Sequence, residues 1–178
     1  MIQEVYQKAM KFAGEKHSHQ KVPGTQANYL LHISNVAMEI LLAYTNKPSF
    51  DVALAVQMAI LHDTLEDTAT TFDELYTTFG AEVAMGVQAL TKNKELPSKR
   101  EGMLDSLNRI NALSKEVGMV KLADRITNLQ EPPSHWNTDK IIKYREEAML
   151  IAEGLRNKNE YLHQRLQQKI EEYASYIN

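Results

Sequence analysis

The sequence predicts an all-α fold, and three observations carry that expectation. Apolar residues recur at helical spacing along most of the chain, in windows several turns long. The gaps between windows hold residues that start or stop helices: Thr71 with Glu74 three positions on, Gly80, and the pair Pro132–Pro133. No alternating run bounded by turn residues reads as a strand, although residues 20–28 leave room for a small hairpin.

The elements follow in order. Residues 2–16 put Ile2, Val5, Tyr6, Ala9, Phe12 and Ala13 on one face. A second helix, about 28–45, carries a stripe of Tyr29, Ile33, Val36, Ala37, Ile40, Leu41 and Tyr44. The third, 51–63, is apolar nearly all round from Val52 to Leu61, which marks the buried centre of a bundle. Thr71 and Glu74 form a capping box that opens a short helix ending at Gly80. Helices at about 81–91, 100–113 and 117–130 precede the proline break, and amphipathic helices at 139–156 and 159–176 close the chain. The polar or proline-bearing loops 17–28, 92–99 and 131–138 are suited to lining a pocket.

Composition narrows the function. The 178 residues suffice for one domain with a substantial core. A formal charge of −3 and a pI near 6.1 give no electrostatic reason to expect a nucleic-acid partner. With no cysteine, disulfides, thiolate metal sites and thiol nucleophiles are excluded, so any metal must be held by His, Asp and Glu. The N-terminal MIQEVYQKAM lacks a signal-peptide pattern, and VALAVQMAIL (52–61) is too short to span a membrane. A cytoplasmic protein without a membrane partner is expected.

The stretch AILHDTLEDTATT, residues 59–71, is where chemistry enters. On a helix Asp63 and Asp67 repel one another across one turn, and His62 has the same spacing to Glu66. Three acids beside an apolar run are unfavourable unless something cationic sits among them. Two further residues on apolar helices, His32 and Asp124, complete a set of two imidazoles and two carboxylates, a donor mixture suited to Mn, Fe or Zn. Each residue also has a plainer reading. His32 could be a packed core histidine, HDTLED a solvated helix end, and Asp124 a partner for Arg125 or Lys121. Spacing alone does not make the four converge. Their joint order, H, then HD about thirty residues on, then D about sixty beyond, is what favours a shared site.

That order resembles the HD superfamily of metal-dependent phosphohydrolases. More narrowly, HDTLEDTATTFDELYTTFG followed by VKLADRITNL resembles the hydrolase domain of the RelA/SpoT family and its small, stand-alone MESH1-like members. KHSHQK, Tyr29 three before His32, LTKNKELP, the spacing of Trp136 and Tyr144, and GLRNKNEYL extend the likeness over nearly the whole chain. The resemblance implies a helical bundle forming one HD-type domain over 1–178, one Mn²⁺, and a nucleotide substrate, (p)ppGpp, losing its 3′-pyrophosphate. Carried over by position, His32, His62, Asp63 and Asp124 hold the metal, and Glu66 and Asp67 work on the attacking water. Lys21, Asn128 and Tyr144 contact the nucleotide; Lys99, which with Lys21 and Arg100 lies in or near a polar loop, could meet a polyanionic substrate, and a solvated surface charge is the plainer alternative for all three. Asn128 as a helix cap and Tyr144 as core packing are the plainer alternatives.

Three departures stand out. Ile33 follows His32 where many members have proline, Gln20–Lys21 replaces an Arg-Lys pair, and Ser98 precedes Lys99 where a lysine is expected. The missing arginine loosens the implied preference for guanine, so another nucleotide (an adenosine alarmone or a phosphorylated dinucleotide) stays in play, as does a non-catalytic nucleotide sensor. The resemblance implies no particular oligomeric state.

Overall fold

The structure, a computed structural model, describes residues 1–177; Asn178, the last residue of the expected domain, lies outside them. The helices are α1 (Ile2–Lys16), α2 (Leu30–Asn46), α3 (Val52–Leu61), α4 (Thr64–Asp67), α5 (Phe72–Phe79), α6 (Ala81–Leu90), α7 (Lys99–Asn111), α8 (Lys115–Asn128), α9 (Thr138–Gly154) and α10 (Glu160–Tyr173). A single 3₁₀ turn, Ala174–Tyr176, follows α10. Among the described residues no strand forms, and the possible hairpin is a loop closed by one isolated bridge between Lys21 and Asn28.

The sequence's most apolar helix is enclosed by its neighbours. α3 packs against α1, α2, α6 and α8, and Ala55, Val56, Met58, Ala59, Ile60 and Leu61 are fully buried. Burying each of the larger side chains contributes about 1.5–3 kcal/mol relative to exposure, which makes this helix an anchor for whatever its end carries. α8 is buried for a different reason: between its apolar residues lie buried Glu116, Lys121, Asp124 and Arg125. Glu116 answers for itself structurally, because its carboxylate accepts from the Asp51 N–H at 3.0 Å. That bond ties the start of α8 to the start of α3, so both helices carry their polar ends to the same side of the bundle.

Caps explain most boundaries. Asp51, Thr71, Ser98, Asn137 and Asn159 each accept a backbone N–H of the first turn of the helix they precede. Gly80, at φ +92°, ends α5 and opens α6 in a conformation that favours glycine.

Three expectations need correcting. The buried helix does not run to residue 63; α3 stops at Leu61. The Thr64 hydroxyl takes the Leu61 carbonyl at 2.7 Å, the backbone flattens at Asp63 (φ −99°, ψ −1°), and a separate turn, α4, carries Glu66 and Asp67. The second helix starts at Leu30 instead of 28, because the Asn28 side chain accepts the Leu30 N–H at 3.0 Å and leaves Tyr29 outside the helix. The final helix ends at Tyr173 and tightens into the 3₁₀ turn, short of the expected 176.

Candidate active site

Four side chains from three places in the chain meet at the polar ends of α2, α3 and α8. His32 Nε2 and His62 Nε2 stand 3.3 Å apart. Asp63 Oδ2 lies 2.9 Å from His62 Nε2 and 3.8 Å from His32 Nε2, and Asp124 Oδ1 lies 3.7 and 3.5 Å from the same two nitrogens. Donors held about 2.1 Å from one ion stand roughly 3.0–3.4 Å from each other, and the distances here, 2.9–3.8 Å, bracket that range. His32, His62 and Asp124 are buried, and Asp63 is partly open.

The tautomer at His62 fits a metal. Its Nδ1 faces the Ala59 carbonyl at 2.8 Å. A carbonyl only accepts, so Nδ1 carries the proton and Nε2 turns its lone pair to the centre. The charge balance fits as well. Burial works to raise the Asp124 pKa, but Lys121 and the two histidines hold it well below the usual carboxylate range. Asp63, opposed by burial but favoured by His62, is lowered to about 2. Burial disfavours a charged His62, yet Asp63 and Asp124 outweigh it and hold the imidazole pKa well above its ordinary value. Two carboxylates in so confined a space demand positive charge, which a divalent ion supplies in the same place as a proton. The donor set fits such an ion.

A surrounding layer fixes these candidate ligands. Tyr29 donates its hydroxyl to Asp63 Oδ2 at 2.5 Å; burial, then the Asp63 charge, raise its pKa, so it stays a donor. Lys121 Nζ donates to Asp124 Oδ2 at 3.1 Å, and Asn128 Nδ2 donates to Asp124 Oδ1 at 2.6 Å. Of the two plainer partners for Asp124, Lys121 does pair with it, while Arg125 pairs instead with Glu147 of α9. The Arg125 guanidinium also lies 4.4 Å over the Tyr144 ring, and Trp136 meets that ring edge-on at 5.1 Å.

The remaining expected residues sit around the rim. Glu66 accepts the Lys92 N–H at 3.1 Å, and its own carbonyl accepts Lys94 Nζ at 3.1 Å, so the 92–99 loop clasps α4 as a pocket-lining segment would. Asp67 is exposed and accepts from Gln20 Nε2 at 2.9 Å. Lys21 is not brought to the cluster; it donates to Gln26 within its own loop. Lys99 is exposed in the first turn of α7, with no polar contact to the cluster among the described residues.

Sequence reasoning gave Tyr29 only a place in an apolar stripe and in the family pattern, gave Lys121 only a possible pairing with Asp124, and gave no role to Lys92 or Glu147. Lys121 had a usable signal, three residues before Asp124 on one helix. Glu147 had none, because only the packing of α9 on α8 brings it to Arg125.

Comparison with known proteins agrees with this geometry. The HD domain family matches residues 9–161. A Danio rerio protein named guanosine-3′,5′-bis(diphosphate) 3′-pyrophosphohydrolase MESH1 is 37% identical over 164 residues, covering 89% of this chain and 88% of its own. The Homo sapiens protein of that name is 32% identical over 163 residues with the same coverage, 89% and 88%. A solved structure described as a metazoan ortholog of SpoT that hydrolyzes ppGpp has a TM-score of 0.80 at 24% identity, covering 94% of both chains. At that identity the likeness establishes the fold. The chain therefore belongs to the HD domain family, and within it to the MESH1-like members.

Proposed function

We propose that this protein hydrolyses (p)ppGpp, releasing the 3′-pyrophosphate and leaving GDP or GTP, with Mn²⁺ held by His32, His62, Asp63 and Asp124. The observation that carries this reading is the convergence of two imidazoles with two carboxylates, each carboxylate within 3.8 Å of both imidazole nitrogens, and a Glu-Asp pair one turn beyond. The family membership supplies the substrate, since the MESH1 relatives are named for this reaction. A bound divalent ion supplies a water acidified towards about pKa 7 and Lewis-acid relief of phosphoryl charge.

The chain's own residues do the rest. The bond broken joins the ribose O3′ to the first phosphorus of the pyrophosphate, and the water oxygen bonds to that phosphorus. A proton must leave the water and another must reach O3′. Glu66 and Asp67, on the short α4 just past the ligands, take and return those protons. Asn128 has one amide hydrogen on Asp124 and a second free to meet a phosphate or ribose oxygen. Tyr144, Lys21 and Lys99 form the outer nucleotide contacts, the two lysines as exposed, solvent-screened charges. The unit is the 1–178 domain acting on a small nucleotide in the cytoplasm; no helix of the described residues is long and apolar enough to cross a membrane.

The test is Mn²⁺-loaded protein offered a nucleotide panel. Pyrophosphate released from ppGpp well ahead of the adenosine alarmone and phosphorylated dinucleotides is expected. Equal or faster release from the others would overturn the guanine assignment. The second reading, a different nucleotide, is favoured by one observation: Gln20 is engaged with Asp67 rather than left open to a base.

A further inference from the structure

We propose that Gln20 is a positioning residue that holds Asp67 in one orientation, and that His17 sets the direction of the Gln20 amide. The proposal rests on Asp67 working in catalysis as argued above. Among the described residues the Asp67 carboxylate accepts from Gln20 alone, at 2.9 Å. A carboxylate offers no proton there, so the amide must turn its NH₂ toward Asp67 and its oxygen away. That oxygen, Oε1, lies 2.6 Å from His17 Nδ1, which must then carry the proton. The two contacts fix each other's polarity and leave no flipped alternative.

The anchor is buried and the tether is fixed in its backbone. His17 is 1% exposed, closes α1 with its N–H on the Ala13 carbonyl, and stacks 5.0 Å from Tyr29. The Gln20 N–H donates to the His17 carbonyl and the Gln20 carbonyl accepts from the Tyr29 N–H, both at 3.0 Å. Gln20 is thus pinned on both sides where the 17–28 loop closes. One buried pair, His17 with Tyr29, reaches both halves of the site: Asp67 through Gln20 and Asp63 through the Tyr29 hydroxyl. Asp67 needs this help because it is exposed on a helix of 4 residues, where its rotamers are otherwise free. A neutral amide restrains it without placing a competing cation beside the reaction.

The experiment measures kcat and KM of Mn²⁺-loaded Gln20→Met, Asp67→Ala and the double variant, on the best-turned-over nucleotide of the panel. Methionine keeps the length and loses both hydrogen bonds. The expected result is a kcat about tenfold lower with KM within about twofold, metal content unchanged, and no further loss when Gln20→Met is added to Asp67→Ala. Gln20→Glu, which keeps the acceptor for His17 but faces Asp67 with a carboxylate, should lose at least as much. A raised KM at constant kcat would make Gln20 a substrate contact instead, and an undiminished kcat or an additive loss would also overturn the proposal. If Asp67→Ala is slow while Gln20→Met is normal, this inference fails alone; if Asp67→Ala is as fast as the parent, the role of Asp67 fails with it. An activity-independent readout is the side-chain amide NMR signal of Gln20. It should shift in Asp67→Ala and in His17→Phe but not in Lys99→Ala; signals unmoved by the first two would contradict the tether.

Discussion

The inner and outer halves of the site are built by different means. The inner half, His32, His62 and Asp124, lies 3–6% exposed on α2, on α8 and at the end of α3, helices whose apolar faces are buried. The outer half, Asp67, Lys21, Lys99 and Asn128, is exposed and held by single polar contacts or by none to the cluster. Buried ligands are positioned by packing, which tolerates shifts poorly. Rim residues are positioned one hydrogen bond at a time, as the single bond from Gln20 to Asp67 illustrates. The inner half should therefore break completely under single changes, and the outer half by degrees.

The largest effect is expected at Asp124→Ala, which removes one proposed ligand and leaves Lys121 buried without its partner. Nucleotide turnover should fall by more than about 10³-fold with loss of bound metal, as expected when the group generating the nucleophile is gone. Next come Glu66→Gln and Asp67→Asn, each costing about 10²–10⁴ in kcat, the usual range for a lost general acid or base. Metal content measured alongside should stay at the parent level, because both lie beyond the ligands; a joint loss of metal would move them into the inner half.

Tyr29→Phe sharpens the comparison. It deletes only the hydroxyl on Asp63, so metal affinity should weaken by about 10–100-fold, with kcat largely recovered at saturating Mn²⁺. The smallest effect belongs to Lys99→Ala, expected within about threefold of the parent kcat/KM because an exposed charge is screened and contributes little. A loss beyond tenfold would show that the rim folds onto substrate and that the division between halves disappears in the complex.

The same division governs what the sequence could tell. His32, His62 and Asp124 interrupt apolar stripes, and a polar residue on a face that packing must bury is conspicuous in a string of letters. The helices that carry them were legible for the same reason. The break between Leu61 and Thr64 was not, because a threonine hydroxyl that caps one helix looks like any other threonine in a helical run. Nor could spacing reveal that Gln20, 47 residues before Asp67, reaches its carboxylate, or that Glu147 answers Arg125. Those contacts depend on how a loop closes and how α9 lies on α8, which no local periodicity encodes.

In the proposed site, two histidines and two aspartates from three distant segments grip one divalent ion. The direct measurement is Mn²⁺ binding to chelator-stripped protein, followed by electron paramagnetic resonance, for the parent and for His32→Ala, His62→Ala and Asp124→Ala. One tightly bound ion per chain in the parent and none in the three variants is the predicted result. Equal stoichiometry and affinity in parent and variants would contradict it.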